Sequence, residues 1–189
     1  MPKTKKSDYV YESLLSDHIR VLELLPGGER DALQGCLRSV RLDSEIEYEA
    51  ISYVWGSDAK THLIWTTSGT IAITQSLHLA LTRVRFEAKP RSLWADAVCI
   101  NQADNIEKSG QVRLMYQIFS RASHVLAYLG EEHDNSQDIP NILRYINIIS
   151  KDMSNKELTF YDATRSSKHD LRPLVAFLQR PWFARIWVV

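Results

Sequence analysis

The chain has 189 residues, of which 44% are hydrophobic and 24% charged, as is ordinary for a globular domain with a sizeable core. Its 23 basic and 23 acidic residues balance, which argues against a nucleic-acid binder with a basic face. Two cysteines exclude a disulfide framework and a four-thiolate zinc site, and no apolar run predicts a signal peptide or a membrane span.

The amino-terminal quarter is predicted to hold a tail and short strands. Residues 1–8 are polar and lysine-rich, so we expect a disordered tail ahead of a single domain over 9–189. They carry no targeting signal, which favours the cytoplasm. Residues 9–11, 19–24 and 40–42 are β-prone. We interpret these three runs as a β-ribbon that lies against the main body.

The centre of the chain begins with a strand, a hairpin and a helix. Residues 48–55 form an apolar, β-prone run ending at Gly56, as expected of a strand buried on both faces. Residues 63–65 and 70–73 flank a turn and predict an inserted hairpin. Thr74 is the predicted N-cap of a helix whose apolar positions recur at helical spacing, namely Leu77, Ala80, Leu81 and Val84.

The alternation of strands and helices continues. Residues 93–100 predict a second buried strand, and 106–121 a helix whose apolar face comprises Val112, Met115, Ile118 and Phe119. Residues 124–129 predict a third strand. Helices over 139–149 and 171–178 and a fourth strand over 186–189 follow. This order predicts an α/β fold with a mostly parallel sheet flanked by helices.

The end of the first central strand carries a candidate ligand site at Ser52, Tyr53, Trp55 and Gly56. In open α/β sheets, ligands bind outside the carboxyl ends of the strands. Gly56 would let the backbone approach a phosphate or sugar, and Trp55 could stack on a base. A core aromatic pair followed by a turn glycine explains the same residues equally well.

Asp96 lies inside an apolar run, where a carboxylate needs hydrogen bonds or a partner. It could contact a ligand or fix the loop that follows. It could instead cap backbone amides or pair with an arginine such as Arg185.

The loop after residue 100 offers further polar candidates. The amides of Asn101 and Gln102 could recognise a ribose or an adenine edge, or serve with Asp104 as turn and N-cap groups. Glu107 falls in the first turn of a helix, where the helix dipole favours a carboxylate. It could also be a salt-bridging or catalytic group. Cys99 has no activating base nearby, so we expect a buried, inert thiol.

Six ordered segments follow one known sequence pattern. Residues 48–56 (YEAISYVWG) resemble YEALSYVWG, residues 93–102 (LWADAVCINQ) resemble LWIDAICINQ, and residues 180–189 (RPWFARIWVV) resemble RPWFxRxWVxQE. Three further blocks lie at 73–81, 107–115 and 121–130. The pattern is that of the fungal heterokaryon incompatibility (HET) domain family. It places structural motif positions at Trp94, Asp96, Cys99, Gln111, Arg185 and Trp187, with departures from the pattern at Ala95 and Tyr128.

The resemblance implies a role in fungal non-self recognition, in which the domain triggers programmed cell death, a form of innate immunity. It also implies partners, through self-association or contact with other HET or sensor domains. The family is distantly similar to TIR domains, a flavodoxin-like fold, some of which cleave NAD with a glutamate in a W-x-x-x-E segment. Trp187 would match that tryptophan, and the glutamate would fall beyond Val189.

Three functional interpretations therefore stay open. The first is a cell-death effector that acts by self-association. The second is a TIR-like NAD glycohydrolase, with NAD as substrate and no cofactor or metal, whose catalytic residues are unknown beyond the candidates Glu107 and Asp96. The third is a non-functional fragment, because the Gln-Glu of the family pattern does not follow Val189. We expect a domain truncated at its carboxyl end, inactive as an enzyme and poorly soluble alone.

Overall fold

Residues 7–132 and 172–185 are described by the computed structural model. The strands of the first range are β1 (His18–Leu24), β2 (Leu33–Arg41), β3 (Glu49–Tyr53), β4 (Lys60–Trp65), β5 (Thr70–Thr74), β6 (Arg91–Trp94) and β7 (His124–Tyr128). They form one seven-stranded sheet in the order β5-β4-β2-β1-β6-β3-β7. Three of the six pairings, β2–β4, β3–β6 and β3–β7, are parallel, and three are antiparallel. The α/β class is confirmed, but the sheet is mixed and not mostly parallel.

The predicted amino-terminal ribbon lies inside the sheet. β1 pairs with β2 along its whole length, and its other edge pairs with β6 through Leu22↔Leu93. The position of the ribbon against the main body was therefore wrongly predicted. Strand β1 is buried along nearly its whole length. This burial suits a strand in the interior of the sheet, which is covered on both faces. Residues 9–11 form no strand, and the nearest ladder contact is an isolated bridge between Asp8 and Thr70.

The parallel block β6-β3-β7 holds the central strands predicted from the sequence. Ala50 of β3 lies opposite Trp94 on one side and Val125 on the other. The hairpin β4–β5 is confirmed. Helix α1 (Gln75–Val84) begins after Thr74, whose hydroxyl accepts the Leu77 N–H at 3.3 Å, as predicted for an N-cap.

The second central strand is shorter than predicted. β6 ends at Trp94, and helix α2 (Asp96–Cys99) follows it. The Ile100 N–H bonds to the Asp96 carbonyl, so this turn is helical. An apolar run of this length does not distinguish a buried strand from a buried helical turn, because both faces are apolar in either case.

Helix α3 (Asn105–Arg121) is confirmed, and of its predicted apolar face Ile118 is buried while Met115 and Phe119 pack against the core. The Asp104 carboxylate caps it by accepting the N–H groups of Ile106 and Glu107 at 2.9 and 3.1 Å. Gln111 and Ile118 are buried, whereas Val112, predicted to face the core, is exposed. Gln111 turns inward because its amide donates to the His18 carbonyl at 2.8 Å.

The chain divides into two compact units, Met1–Tyr128 and Leu129–Val189. The described part of the second contains α4 (Arg172–Leu178), where a helix was predicted, and then turns up to Arg185. The predicted helix over 139–149 and strand over 186–189 lie outside the described residues. No helix in residues 7–132 or 172–185 combines the length and apolar character needed to cross a bilayer.

An ion pair joins β3 and β6 near their amino ends. The Arg91 guanidinium donates to both carboxylate oxygens of Glu49, at 2.5 and 2.8 Å, and to the Val84 carbonyl at 2.5 Å. It also stacks 4.3 Å from the ring centre of Phe86. These hydrogen bonds hold the pKa of Glu49 below its usual value of 4.5. The pair therefore connects the parallel block to the end of α1.

Glu49→Gln should lower the free energy of unfolding at neutral pH. The difference in this free energy between the variant and wild type should become smaller in acid. The pKa of Glu49 is lower in the folded chain than in the unfolded chain, so its stabilisation is present above the unfolded value and is lost as pH falls through the folded value. Urea unfolding at a series of pH values measures this. The control is Glu47→Gln, an exposed carboxylate. A difference in free energy of unfolding between Glu49→Gln and wild type that stays constant with pH would contradict a stabilising role of the Glu49 carboxylate.

A chain that begins at Tyr48 should not fold cooperatively. It would lack β1 and β2, which separate β4 from β6 in the sheet, and would expose Leu93 and Ile64, both fully buried. Circular dichroism and urea unfolding of residues 48–189 and 7–189 test this. A sharp unfolding transition in the shorter chain would show that β1 and β2 are dispensable.

Candidate functional site

The carboxyl ends of β3 and β6 carry the first contact of the candidate site. The Trp55 indole N–H donates to the Asp96 carboxylate at 2.9 Å. The same carboxylate accepts the N–H of Ala97 at 2.8 Å. Asp96 is half-buried and begins α2, whereas an interior strand position was predicted. The structure thus brings together two residues, Trp55 and Asp96, that follow adjacent parallel strands.

The loop after β3 rests on the beginning of α1. The Ser76 hydroxyl donates to the Val54 carbonyl at 2.5 Å. Gly56 has a φ of +68°, a left-handed conformation that favours glycine. Trp55, between them, is 36% exposed. Its indole is held by its nitrogen and leaves part of the ring surface open to a ligand.

The amides of the following loop have separate roles. The Gln102 side chain donates to the Asp96 carbonyl at 2.8 Å, so Gln102 belongs to the same cluster as Trp55. The Asn101 side chain accepts the Ala103 N–H at 3.2 Å, and the Asn101 carbonyl accepts the Asp104 N–H at 3.1 Å. The turn interpretation of Asn101 is confirmed, and ligand binding by these amides stays a prediction.

Two of the predicted ligand residues lie within β3 itself. Tyr53 is buried in the hydrophobic core, so its ring lines no open crevice. Ser52 is half-buried and, because side chains alternate along a strand, points to the opposite face. The open part of the site therefore comprises Trp55, Asp96 and Gln102.

Glu107 forms a buried ion pair with Arg20 of β1. The guanidinium donates to both carboxylate oxygens, at 2.6 and 3.0 Å, and the two side chains are 4% and 9% exposed. Glu107 also accepts the Asn101 N–H at 2.7 Å. The salt-bridging interpretation of Glu107 is confirmed. A catalytic role of Glu107 stays a prediction. Its carboxylate already accepts three hydrogen bonds within the fold.

Arg20 was not among the residues predicted from the sequence. It also donates to the carbonyls of Cys99 and Glu12, at 3.2 and 2.5 Å, and lies 4.9 Å from the ring centre of Tyr11. The signal was present, since an arginine inside the apolar run 19–24 requires a buried partner. The sequence alone did not identify that partner.

The remaining motif residues have structural positions. Burial raises the pKa of Cys99 to about 12, which keeps the thiol protonated and supports the expected inert role, although Cys99 lies in α2 and not in a strand. Trp94 is buried and packs edge-to-face on Phe119, with ring centres 5.6 Å apart. Arg185 lies in the second unit, and its pairing with Asp96 stays a prediction. Trp187 lies outside the described residues.

Comparisons with known proteins agree on one family. The family described as heterokaryon incompatibility protein (HET) matches residues 48–189, more than half of the chain. Heterokaryon incompatibility protein 6, OR allele, of Neurospora crassa is 30% identical over 224 aligned residues, which cover 96% of this chain and 33% of that protein. The chain thus spans about a third of the length of this relative. No solved structure matches.

Glu107→Gln should destabilise the fold by about 3–5 kcal/mol, because it leaves the buried Arg20 without a charged partner. The double variant Arg20→Met/Glu107→Leu should lose less free energy of unfolding than Arg20→Met and Glu107→Leu lose together as single variants. It removes both charges, so neither is left buried without its partner. Urea unfolding gives the free energies, and hydrogen exchange at the Asn101 amide reports loss of its bond to Glu107. Wild-type stability for Glu107→Gln would contradict the structural role.

Proposed function

The chain belongs to the heterokaryon incompatibility (HET) family, and on that premise we propose that it acts in fungal heterokaryon incompatibility as a domain that triggers programmed cell death. The observation that carries the proposal is the match over residues 48–189. The Neurospora crassa relative, whose name refers to the same process, agrees with it. The proposed place of action is the cytoplasm.

The proposed trigger is self-association, or association with other HET or sensor domains. Exposed large apolar side chains on the first unit support this, since apolar side chains at a surface can be covered by another protein. Ile106 and Tyr116 are the clearest cases, at 87% and 83% exposed. Association would raise the local concentration of the domain and so convert recognition into a signal.

A second candidate function is TIR-like cleavage of NAD. It is favoured by the contact between Trp55 and Asp96 at the carboxyl ends of adjacent parallel strands, where α/β sheets bind ligands. Trp55 offers a ring surface for stacking, and a carboxylate can accept hydrogen bonds from ribose hydroxyls. Water would replace nicotinamide on the ribose carbon, through an oxocarbenium-like state that a carboxylate stabilises.

Expression of the chain in fungal cells should reduce viability, and Trp55→Ala should abolish that effect where it depends on the candidate ligand site. Trp55→Phe keeps a stacking surface and removes the N–H that donates to Asp96, so it separates the two roles of the indole. Because Trp55 is partly exposed, both variants should remain folded, which circular dichroism checks. Colony counts after induced expression measure the effect. Full viability with the wild-type chain would contradict the proposal.

The same variants separate the second candidate from the first. NAD is measured in a chain extended past Val189 through the Gln-Glu of the family pattern and clustered at high concentration. NAD loss that disappears with Trp55→Ala supports cleavage. If cells die while NAD stays intact, NAD cleavage is contradicted and the effector proposal is retained.

A further inference from the structure

The outer face of α3 is exposed although it carries large apolar side chains. At about 100° per residue, seven exposed residues fall within an arc of about 120° on the side away from the buried Gln111 and Ile118. We name these seven the α3 outer face: Ile106, Ser109, Gly110, Arg113, Tyr116, Gln117 and Ser120. The hydrogen bonds of these side chains stay within α3, and none joins another described element, so among the described residues this face is open to a partner.

Gly110 lies in the interior of α3, where no described contact requires a glycine. A β-carbon added at Gly110 would meet no described atom within 4 Å outside its own helix turn. Glycine in a helix interior costs about 1 kcal/mol relative to alanine. Since the fold itself has room for alanine, the glycine suits close approach of another chain to α3.

Among the described residues, the outer face also carries a positive charge without a counterpart. Arg113 on this face forms no ion pair with any residue that the structure describes. A partner that covers this face should therefore bring carboxylates together with an apolar side chain.

The loop between β2 and β3 has that chemistry. Its residues 43–47 are all exposed, and Ile46 stands between two glutamates. Glu45 and Glu47 form no ion pair among the described residues, whereas Asp43 bonds to Arg41 at 2.9 Å. The same chain thus displays an acidic, apolar loop and a basic, apolar helix face.

The two surfaces do not meet within one chain. Asp43 and Ile46 line a depression of about 260 Å³ together with Arg121, the last residue of α3. Arg113 is eight residues earlier, about 12 Å away along the helix axis. The loop therefore lies near the carboxyl end of α3, and among the described residues neither of its glutamates forms an ion pair with Arg113.

We infer that copies of this chain associate by docking the 43–47 loop of one copy onto the α3 outer face of the next. The inference rests on the self-association in the proposed function and names its surfaces. Because the two surfaces differ, the contact is heterologous, and each pair keeps one free surface of each kind. Assemblies can therefore grow beyond two copies, and added salt weakens them because the paired charges are exposed.

Sedimentation velocity of the 189-residue chain over a range of concentrations tests the contact. Wild type should sediment faster as concentration rises. Arg113→Glu and the double variant Glu45→Lys/Glu47→Lys should each weaken association at least tenfold. A mixture of these two variants should associate again, because each supplies the surface that the other has lost. Arg30→Glu, the same change at another exposed arginine, should behave as wild type.

Gly110→Ala provides an independent measurement. It should raise the Tm, because alanine favours the helix, and weaken association, because a methyl group enters the contact. A raised Tm with undiminished association would count against docking at this face.

The outcomes distinguish this inference from the proposed function. Association that Arg113→Glu leaves unchanged overturns the named surfaces while self-association stands. A wild-type chain that stays monomeric at every concentration overturns both. Monomeric variants that still kill fungal cells confirm the contact and remove self-association from the proposed mechanism.

Discussion

The buried ion pair between Arg20 and Glu107 is the interaction on which the arrangement around the candidate site depends. Two charges of opposite sign leave water together, and each is tolerated only because the other is present. The pair joins the centre of the sheet to the first turn of α3. Glu107 also accepts a hydrogen bond from the Asn101 N–H, and Arg20 donates one to the Cys99 carbonyl. These two bonds fix the segment between α2 and α3.

The fixed segment carries Gln102, whose amide bonds to the backbone of Asp96, and Asp96 in turn receives the Trp55 indole. A chain of hydrogen bonds thus leads from the core of the sheet to a partly exposed aromatic ring. Arg20 precedes the residues matched by the family, which begin at Tyr48. The matched segment therefore relies, in this chain, on a strand that lies before it.

Helix α3 links the two proposals. Its inner side is occupied by the ion pair and by Gln111, and these contacts determine which residues face outward. The outer side then presents Ile106, Arg113 and Tyr116 as a rigid surface. Docking of another chain there would act on the helix that supports the loop of Asn101 and Gln102.

Local signals in the sequence determined the elements whose hydrogen bonds are local. The caps at Thr74 and Asp104 and the β4–β5 hairpin were predictable because each depends on neighbours within a few residues. Strand β3 was predictable from its apolar, β-prone run, although its partners β6 and β7 are distant in sequence. The segment 93–100 was not, since apolar residues suit a buried strand and a buried helical turn alike. The exposure of Val112 was not either, because the neighbouring Gln111 turns inward to bond with the distant His18 carbonyl. Tertiary structure alone decided that β1 lies between β2 and β6, that Arg20 finds Glu107 87 residues away, and that Trp55 meets Asp96 41 residues away. Such contacts depend on which strands become neighbours, and that choice is set by the packing of the whole sheet and not by any single segment.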